Sequence, residues 1–284
     1  MTKEEGDKYG IKVLPMPFLI DGKTYFENIT LTQDEFYERL KSDVDISTSQ
    51  PTIPDVQACW EEELKEYDEI VYIPMSSGLS GSTSTALAIA DDYDGKVQVV
   101  DNQRISVTQF RSALDAVELA NEGKSAKEIK EILEAVKFES SIYIKLDTLK
   151  YLKKGGRITP AAAAIGSALR LKPVLQIQGE KLDAFTIART SKQAEAKMLG
   201  AIDRDIENRF GTSANRDNLH FCVAHTANYE LADEFAEKIK EHFGTKEVLV
   251  SPLSLSIACH IGPGALAMAV SREVHNAYES VKNA

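Results

Sequence analysis

The feature that most constrains the fold is a regular alternation of helical and strand patterns between Ile11 and about Lys145. Short apolar runs such as Ile70 to Ile73 and Val97 to Val100 alternate with segments whose apolar residues recur every three or four positions. This alternation is typical of a mostly parallel sheet flanked by helices. The sequence therefore predicts an N-terminal α/β domain, and the strand from Ile142 to Leu146 is expected to close it.

The second half of the chain follows a different pattern. An alanine-rich helix is predicted from Pro160 to about Leu169, followed by a hairpin of Val174 to Gln178 with Leu182 to Ile187. Further helices and strands lead to a glycine-rich turn before the last helix. We therefore predict two domains, residues 1–150 and residues 151–284, the second an α/β domain with a mainly antiparallel sheet.

Composition excludes several classes of protein. The 284 residues carry a net charge of -11, and no basic cluster is present, which argues against nucleic acid as a partner. The three cysteines form no C-x-x-C pair, and no apolar run approaches the roughly 20 residues that span a bilayer. We expect a cytoplasmic protein without stable membrane insertion.

The most informative segment is the serine- and glycine-rich loop from Met75 to Ser82, which lies between a predicted strand and a predicted helix. Glycines at such a junction expose backbone N–H groups, and the helix N-terminus adds partial positive charge, so the loop suits an anion. Ser77, Ser80 and Ser82 add hydroxyl donors. These serines are equally explained as helix caps and turn formers.

A rival interpretation makes Ser80 the nucleophile of a serine hydrolase, because a strand, a turn and a helix are the context of a G-x-S-x-G elbow. The spacing differs, since Gly78 and Gly81 flank Ser80 as G-x-S-G. A hydrolase also needs a histidine base, and the chain has five histidines. A binding module for another small anionic metabolite is the third class that stays open.

Three further segments could contribute to a site. Thr48 and Ser49 lie in Ser47-Thr-Ser-Gln-Pro51, where turn formation is the default role of such residues. Arg157, in a Gly-Gly-Arg-Ile segment, can pair with a carboxylate or phosphate, or be a plain surface arginine. His260 precedes a Gly-Pro-Gly turn, and no other ligand lies at metal-binding spacing. The two common nucleotide-binding motifs are absent.

Together and in this order, the four segments resemble the DegV family across essentially the whole chain. The residues that carry the resemblance are Ser47-Thr-Ser-Gln-Pro51, Ser76-Ser-Gly-Leu-Ser-Gly81, Lys154-Gly-Gly-Arg-Ile158 and His260-Ile-Gly-Pro-Gly264. Each motif alone is weak, whereas their combination is specific.

The resemblance implies a long-chain fatty acid bound in a tunnel between two domains. It assigns the carboxylate to Thr48 and Ser80 and places Arg157 and His260 at the mouth of the site; the remaining ligand-binding residues predicted from the motifs are Ser49, Ser77, Gly81 and Gly262. It implies no catalytic residue, metal or cofactor in this chain. A separate ATP-binding subunit of a bacterial fatty acid kinase would phosphorylate the bound acid to an acyl phosphate.

One departure from the family pattern concerns the start of the chain. Family members open with a short strand and a loop that reads roughly T-D-S-T, and nothing before Tyr9-Gly-Ile11 matches it. The expectation is a truncated sequence or a natural absence of that strand, with a more open sheet edge in the first case.

Overall fold

The computed structural model describes residues 1–42, 44–155, 158–164, 171–211 and 216–283. The strands are β1 (Pro17–Ile20), β2 (Lys23–Phe26), β3 (Ile46–Thr48), β4 (Ile70–Tyr72), β5 (Val97–Val99), β6 (Ser140–Lys145), β7 (Lys172–Ile177), β8 (Asp183–Ala188), β9 (Leu219–His225), β10 (Val248–Pro252) and β11 (Leu266–Arg272). The helices are α1 (Lys3–Tyr9), α2 (Gln33–Lys41), α3 (Ile53–Glu63), α4 (Ser82–Ala90), α5 (Ser106–Asn121), α6 (Ala126–Ala135), α7 (Lys150–Gly155), α8 (Pro160–Ala164), α9 (Ser191–Asn208), α10 (Tyr229–Phe243), α11 (Leu255–Ile261) and α12 (Val274–Lys282).

The largest sheet has six strands in the order β10-β9-β11-β6-β7-β8. Only the β10–β9 pair is parallel, and the other neighbours are antiparallel. Every residue of β6 and β11 is buried, because both faces of the sheet are covered. On one face the apolar stripes of α9 and α10 pack on the sheet, with Met198 and Phe235 fully buried.

Two small sheets build the N-terminal half. The strands β2, β1 and β3 form an antiparallel sheet, and its buried Phe18 packs against Phe36 of α2 and Leu255 of α11. The strands β4 and β5 pair in parallel, and Trp60 of α3 packs beside them in a second cluster. The apolar clusters therefore tie elements distant in sequence to one another.

Local signals in the sequence predicted many of these elements correctly. The capping box of Thr32 with Glu35 starts α2, and that of Ser125 with Glu128 starts α6. Asp21 and Gly22 both have positive φ, 49° and 76°, which is the turn geometry that joins β1 to β2 as a hairpin. The hairpin of β7 and β8 is also present. The α/β class, with parallel and antiparallel sheets, is confirmed.

Three details differ from the sequence-based expectations. The strand around Ile142 was assigned to the N-terminal sheet, but β6 pairs with β11 and β7 in the six-stranded sheet. In the N-terminal half, the parallel pairing is confined to β4 and β5 among the described residues. The helices α1, α7 and α11 were not predicted, although Thr2 and Glu5 form a capping box at the start of α1. The domain boundary near residue 150 stays a prediction.

Within the described ranges, no helix combines the length and the apolar character needed to cross a bilayer.

Candidate functional site

A cavity of about 190 Å³ lies where the ends of β3, the loop before α4 and the helix α11 meet. Its polar lining comes from Thr48, Ser49, Gln50, Ser80, Ser256 and His260. Its apolar lining includes Met75, Leu79, Ile105, Leu152, Leu182 and Ile261. The cavity therefore combines a cluster of uncharged hydrogen-bonding groups with an apolar wall, which suits an amphipathic ligand.

The first polar element is a contact between Thr48 and His260, which are 212 residues apart in the chain. The Thr48 Oγ1 lies 2.8 Å from the His260 Nε2, so one group donates to the other. If the Nε2 carries the proton, it donates to the threonine oxygen and leaves the threonine hydroxyl hydrogen for a ligand. The histidine is therefore positioned to orient the hydroxyl of Thr48.

The second polar element is Ser80, in the loop that precedes α4. The backbone N–H of Ser82 donates to the Ser80 Oγ at 3.2 Å, while the N–H groups of Leu79 and Ser80 donate to the Ser76 carbonyl. The expectation that the loop presents its backbone N–H groups to an anion is therefore wrong for these three groups. The Ser80 hydroxyl retains its own hydrogen as a donor, because its oxygen already accepts the Ser82 N–H.

The loop is held in place from two sides. The Ser76 N–H donates to the carbonyl of Arg104, whose buried guanidinium in turn donates to the Val136 carbonyl at 3.0 Å. The Ser76 Oγ donates to the Glu180 carbonyl at 2.8 Å, which joins the loop to the β7–β8 hairpin. A Cβ at Gly78 would lie 2.5 Å from the Cβ of Glu180, so this approach requires glycine.

The helix α11, which carries Ser256 and His260, is fixed at both ends. At its start the Leu255 N–H donates to the Glu27 Oε2 at 2.8 Å. At its end Gly262 has a φ of 74°, and a Cβ there would lie 2.3 Å from the Cδ2 of Tyr151. Gly262 therefore allows α11 to stop tightly against α7.

Five of the eight residues predicted to bind the ligand line this cavity: Thr48, Ser49, Ser80, Gly81 and His260. Ser77 is exposed and is not part of the cavity lining, and Gly262 is buried against Tyr151 instead. Arg157 lies outside the described residues. The motifs thus bring together side chains from three elements that are far apart in sequence.

Sequence reasoning missed several lining residues. Gln50 lies within the quoted Ser47 to Pro51 segment, and its Nε2 donates to the Thr85 Oγ1 at 3.0 Å, across to α4. Ser256 follows the Ser254 that precedes α11, and the two hydroxyl oxygens lie 3.0 Å apart. The alternation Ser254-Leu255-Ser256 before the Gly-Pro-Gly turn was an available signal for Ser256, although no helix was predicted there. Met16, one apolar residue within the run from Val13 to Ile20, offered none.

The buried thiols near the site stay protonated. Burial raises the pKa of Cys259, beside His260, to about 12, and burial likewise raises the pKa of Cys222 to about 12. Neither thiol is a nucleophile at neutral pH. In the described part of the chain, one group of potential metal ligands converges, Glu118, Glu273 and His275, and it lies outside the cavity lining. The His275 Nε2 lies within 4.0 Å of both carboxylates and 3.0 Å from that of Glu122, so polar contacts between side chains account for this group.

Comparison with known proteins identifies the family. Residues 1–273 match the sequence profile of the DegV family, which is described as uncharacterised. Protein DegV of Bacillus subtilis is 33% identical over 271 residues, which is 94% of this chain and 93% of that protein. A DegV domain-containing protein of Staphylococcus aureus is 28% identical over 273 residues, covering 96% and 95% of the two chains. The chain therefore belongs to the DegV family.

Solved structures agree with this assignment. A DegV family protein from Thermus thermophilus, described by its fatty acid binding, superposes with a TM-score of 0.86 at 27% identity, over 96% of this chain and 95% of that one. The crystal structure of DegV from Bacillus subtilis, described as a fatty acid binding protein, gives a TM-score of 0.83 at 31% identity with the same coverage.

Proposed function

We propose that this chain binds one long-chain fatty acid, with the carboxylate at the polar part of the cavity and the acyl chain along its apolar wall. The observation that carries the proposal is the convergence of Thr48, Ser80 and His260 at one apolar cavity. The fatty-acid-binding relatives support it, because both share this fold over nearly their whole length.

The chemistry of the lining suits a carboxylate. Each carboxylate oxygen accepts hydrogen bonds, and the hydroxyls of Thr48 and Ser80 are donors of the right kind. Arg157 would add a fixed positive charge at the mouth of the site, as its place in the Gly-Gly-Arg-Ile motif implies. The polar groups fix the position of the head group.

Most of the affinity comes from the acyl chain. About 15 methylene groups at about 0.8 kcal/mol each contribute on the order of 12 kcal/mol before the costs of binding. The loss of one hydroxyl therefore leaves the ligand bound while it disturbs the geometry of the carboxylate.

We propose further that the protein is a carrier without catalytic residues, and that it presents the carboxylate to a separate ATP-binding kinase subunit. The kinase transfers the γ-phosphoryl group of ATP to a carboxylate oxygen and forms an acyl phosphate and ADP. The absence of a Walker or dinucleotide motif from the sequence supports a division of labour of this kind.

The first experiment is native mass spectrometry, followed by lipid extraction under denaturing conditions. A released fatty acid supports the binding proposal and identifies the preferred chain length. A folded protein that carries no lipid and fails to bind added fatty acids would refute it. Labelling of Ser80 by a fluorophosphonate probe would favour the hydrolase instead.

The second experiment tests the roles of the hydroxyls. Thr48→Val and Ser80→Ala are expected to retain the fatty acid but to lower acyl phosphate formation at least tenfold in the presence of the kinase subunit and ATP. Ser77→Ala is the matched control, because Ser77 is exposed and lies outside the cavity lining. Full activity of both site variants would contradict the assigned roles.

A further inference from the structure

The open edge of the six-stranded sheet is β10, which belongs to a different sheet from the strand that carries Thr48. The strand pairs with β9 on one side and is the outermost strand on the other. The Leu253 N–H donates to the His225 carbonyl at 2.8 Å, which continues the ladder beyond the strand. Because alternate residues of a strand direct their backbone groups to the same side, Val248 and Val250 direct theirs away from β9.

This edge borders a groove of about 320 Å³ between β10 and α10. The side chains of Val248 and Val250 form its apolar floor. One face of α10 forms its wall, where Glu230, Asp233, Glu234 and Glu237 follow helical spacing. Within the described residues, only Glu237 among these four carboxylates forms an ion pair, with Lys240 at 2.7 Å. The groove is therefore apolar at its base and negative along one side.

The two sheet edges differ in their protection. At the opposite edge, the Lys197 ammonium donates to the Ile187 carbonyl at 2.7 Å, and the Thr159 N–H donates to the Leu182 carbonyl beside β8. At β10, the described hydrogen bonds outside the ladder are local, such as that from the Ser251 hydroxyl to the Pro252 carbonyl, and of the outward-facing residues only Pro252, at the end of the strand, lacks an N–H. Exposed edges of this kind accept an added strand.

We propose that β10 is a docking site for an extended, basic segment of a partner protein, which adds as a seventh strand. Residues of this segment that face α10 meet the acidic wall, so every second residue is Lys or Arg. The intervening residues face the other side of the sheet, where Leu249 is 40% exposed, and they are apolar. The negative charge of the wall thus favours a basic partner, and backbone hydrogen bonds to β10 fix the alignment of the added strand.

A second copy of this chain fits the edge poorly. Antiparallel pairing of two β10 strands about a two-fold axis places both α10 helices on the same face of the joined sheet. Their acidic walls would then face each other across the junction, and like charges at close range are unfavourable. The same wall that attracts a basic strand therefore opposes self-association.

The test uses a fluorescein-labelled probe, acetyl-Lys-Val-Lys-Val-Lys-Val-Lys-amide, and fluorescence anisotropy with the full-length protein. We expect saturable binding that weakens at least tenfold between 50 mM and 500 mM salt, because the acidic wall contributes electrostatically. A probe of the same sequence with N-methylated amides keeps the charges but loses the pairing, and we expect it to bind at least tenfold more weakly.

Two variants locate the site. Val250→Pro removes an outward N–H and leaves the hydrogen bonds to β9 intact. We expect this variant to bind the two probes with equal affinity. Glu230→Lys with Glu234→Lys should weaken binding at least tenfold, whereas Glu38→Lys with Glu62→Lys, a matched pair on exposed helix surfaces, should change it less than twofold. Circular dichroism confirms that each variant is folded.

Equal affinity of the two probes for the unmodified protein would overturn strand addition at β10. So would a Val250→Pro variant that still binds the unmodified probe more tightly than the N-methylated one. Failure of the unmodified probe to bind would also overturn it. If the protein forms a concentration-dependent dimer and Val250→Pro prevents dimerisation, β10 pairs with a second copy of this chain instead. None of these outcomes depends on what the cavity holds, so the fatty acid proposal is tested separately.

Discussion

The two sides of the cavity come from different parts of the fold. The hydroxyl side consists of Thr48 at the end of a three-stranded sheet and Ser80 after a two-stranded one. The apolar side includes Leu182 beside the β7–β8 hairpin and Ile261 at the end of α11, both in the cluster that packs on the six-stranded sheet. The strands before the hydroxyl side, β3 and β4, are at most half-buried, whereas the sheet behind the apolar side contains the fully buried strands β6 and β11.

Under the proposed function, the two sides of the candidate site have different tasks. The apolar side needs only to exclude water, and a large sheet with helices on both faces provides that. The hydroxyl side needs donors at defined positions, and here these depend on a few specific contacts, among them Thr48 with His260 and Ser76 with Glu180. Changes in the two sides should therefore have separable effects on stability and on ligand geometry.

The largest expected effect comes from a pair of core substitutions. Phe235→Ala and Phe18→Ala each remove a fully buried ring and should lower the free energy of unfolding by about 3–5 kcal/mol. Only Phe18→Ala should also weaken ligand retention, because Phe18 pairs with Thr48 in the β1–β3 ladder and packs on α11. Chemical denaturation and lipid extraction from the folded fraction measure the two quantities. Equal ligand loss in both variants would remove the distinction between the two sides.

The second prediction concerns the end of α11. Gly262→Ala should lower the free energy of unfolding by about 3 kcal/mol, because the new Cβ would collide with Tyr151 and the backbone has a positive φ. Gly244→Ala is the control, because its φ of 69° is similar but nothing lies within 4 Å of the added Cβ. It should lower the free energy of unfolding by about 1 kcal/mol. Thermal denaturation compares them. Equal costs would show that the Tyr151 contact relaxes freely.

The third prediction is a loss of stability in acid that originates in the large sheet. Burial lowers the pKa of His220, in β9, to about 4, and burial also lowers that of His225 in the same strand. Between pH 6.5 and 4 the unfolded chain therefore binds more protons than the native one at His220, and the stability falls as the pH falls.

For His220 the loss should reach roughly 2 kcal/mol after allowance for its partial exposure. Urea denaturation at pH 7, 5.5 and 4.5 measures it, and His220→Gln should flatten the dependence. If the free energy of unfolding of His220→Gln depends on pH as steeply as that of the unmodified protein, other groups cause the acid sensitivity.

Much of the fold could be predicted from local signals. Thr32 with Glu35 and Ser125 with Glu128 mark helix starts because a capping box is a contact within four residues. The turn at Asp21-Gly22 marks a hairpin for the same reason. The strand around Ile142 was assigned to the wrong sheet, because the pairing of β6 with β11 joins residues more than 120 positions apart.

The candidate site was predictable in part. The motifs identified Thr48, Ser80 and His260, and the structure brings them to one cavity, yet the 2.8 Å contact of Thr48 with His260 has no local signature. Gln50 and Ser256 were overlooked because polar residues beside a turn usually have only a local role. The apolar lining consists of ordinary core residues, and which of them face a cavity depends on the tertiary packing.

The hydrogen bond between Ser76 and the Glu180 carbonyl also bears on the order of folding. It joins residues 104 positions apart, and such a closure costs chain entropy that only the surrounding packing repays. We therefore expect the loop that carries Ser80 to reach its final shape after the β7–β8 hairpin has formed. On the ribosome, a chain that has not yet been extended to Glu180 has both β4 and α4 but lacks the partner that fixes the loop between them. The candidate site is in this sense completed only when the second half of the chain has been made.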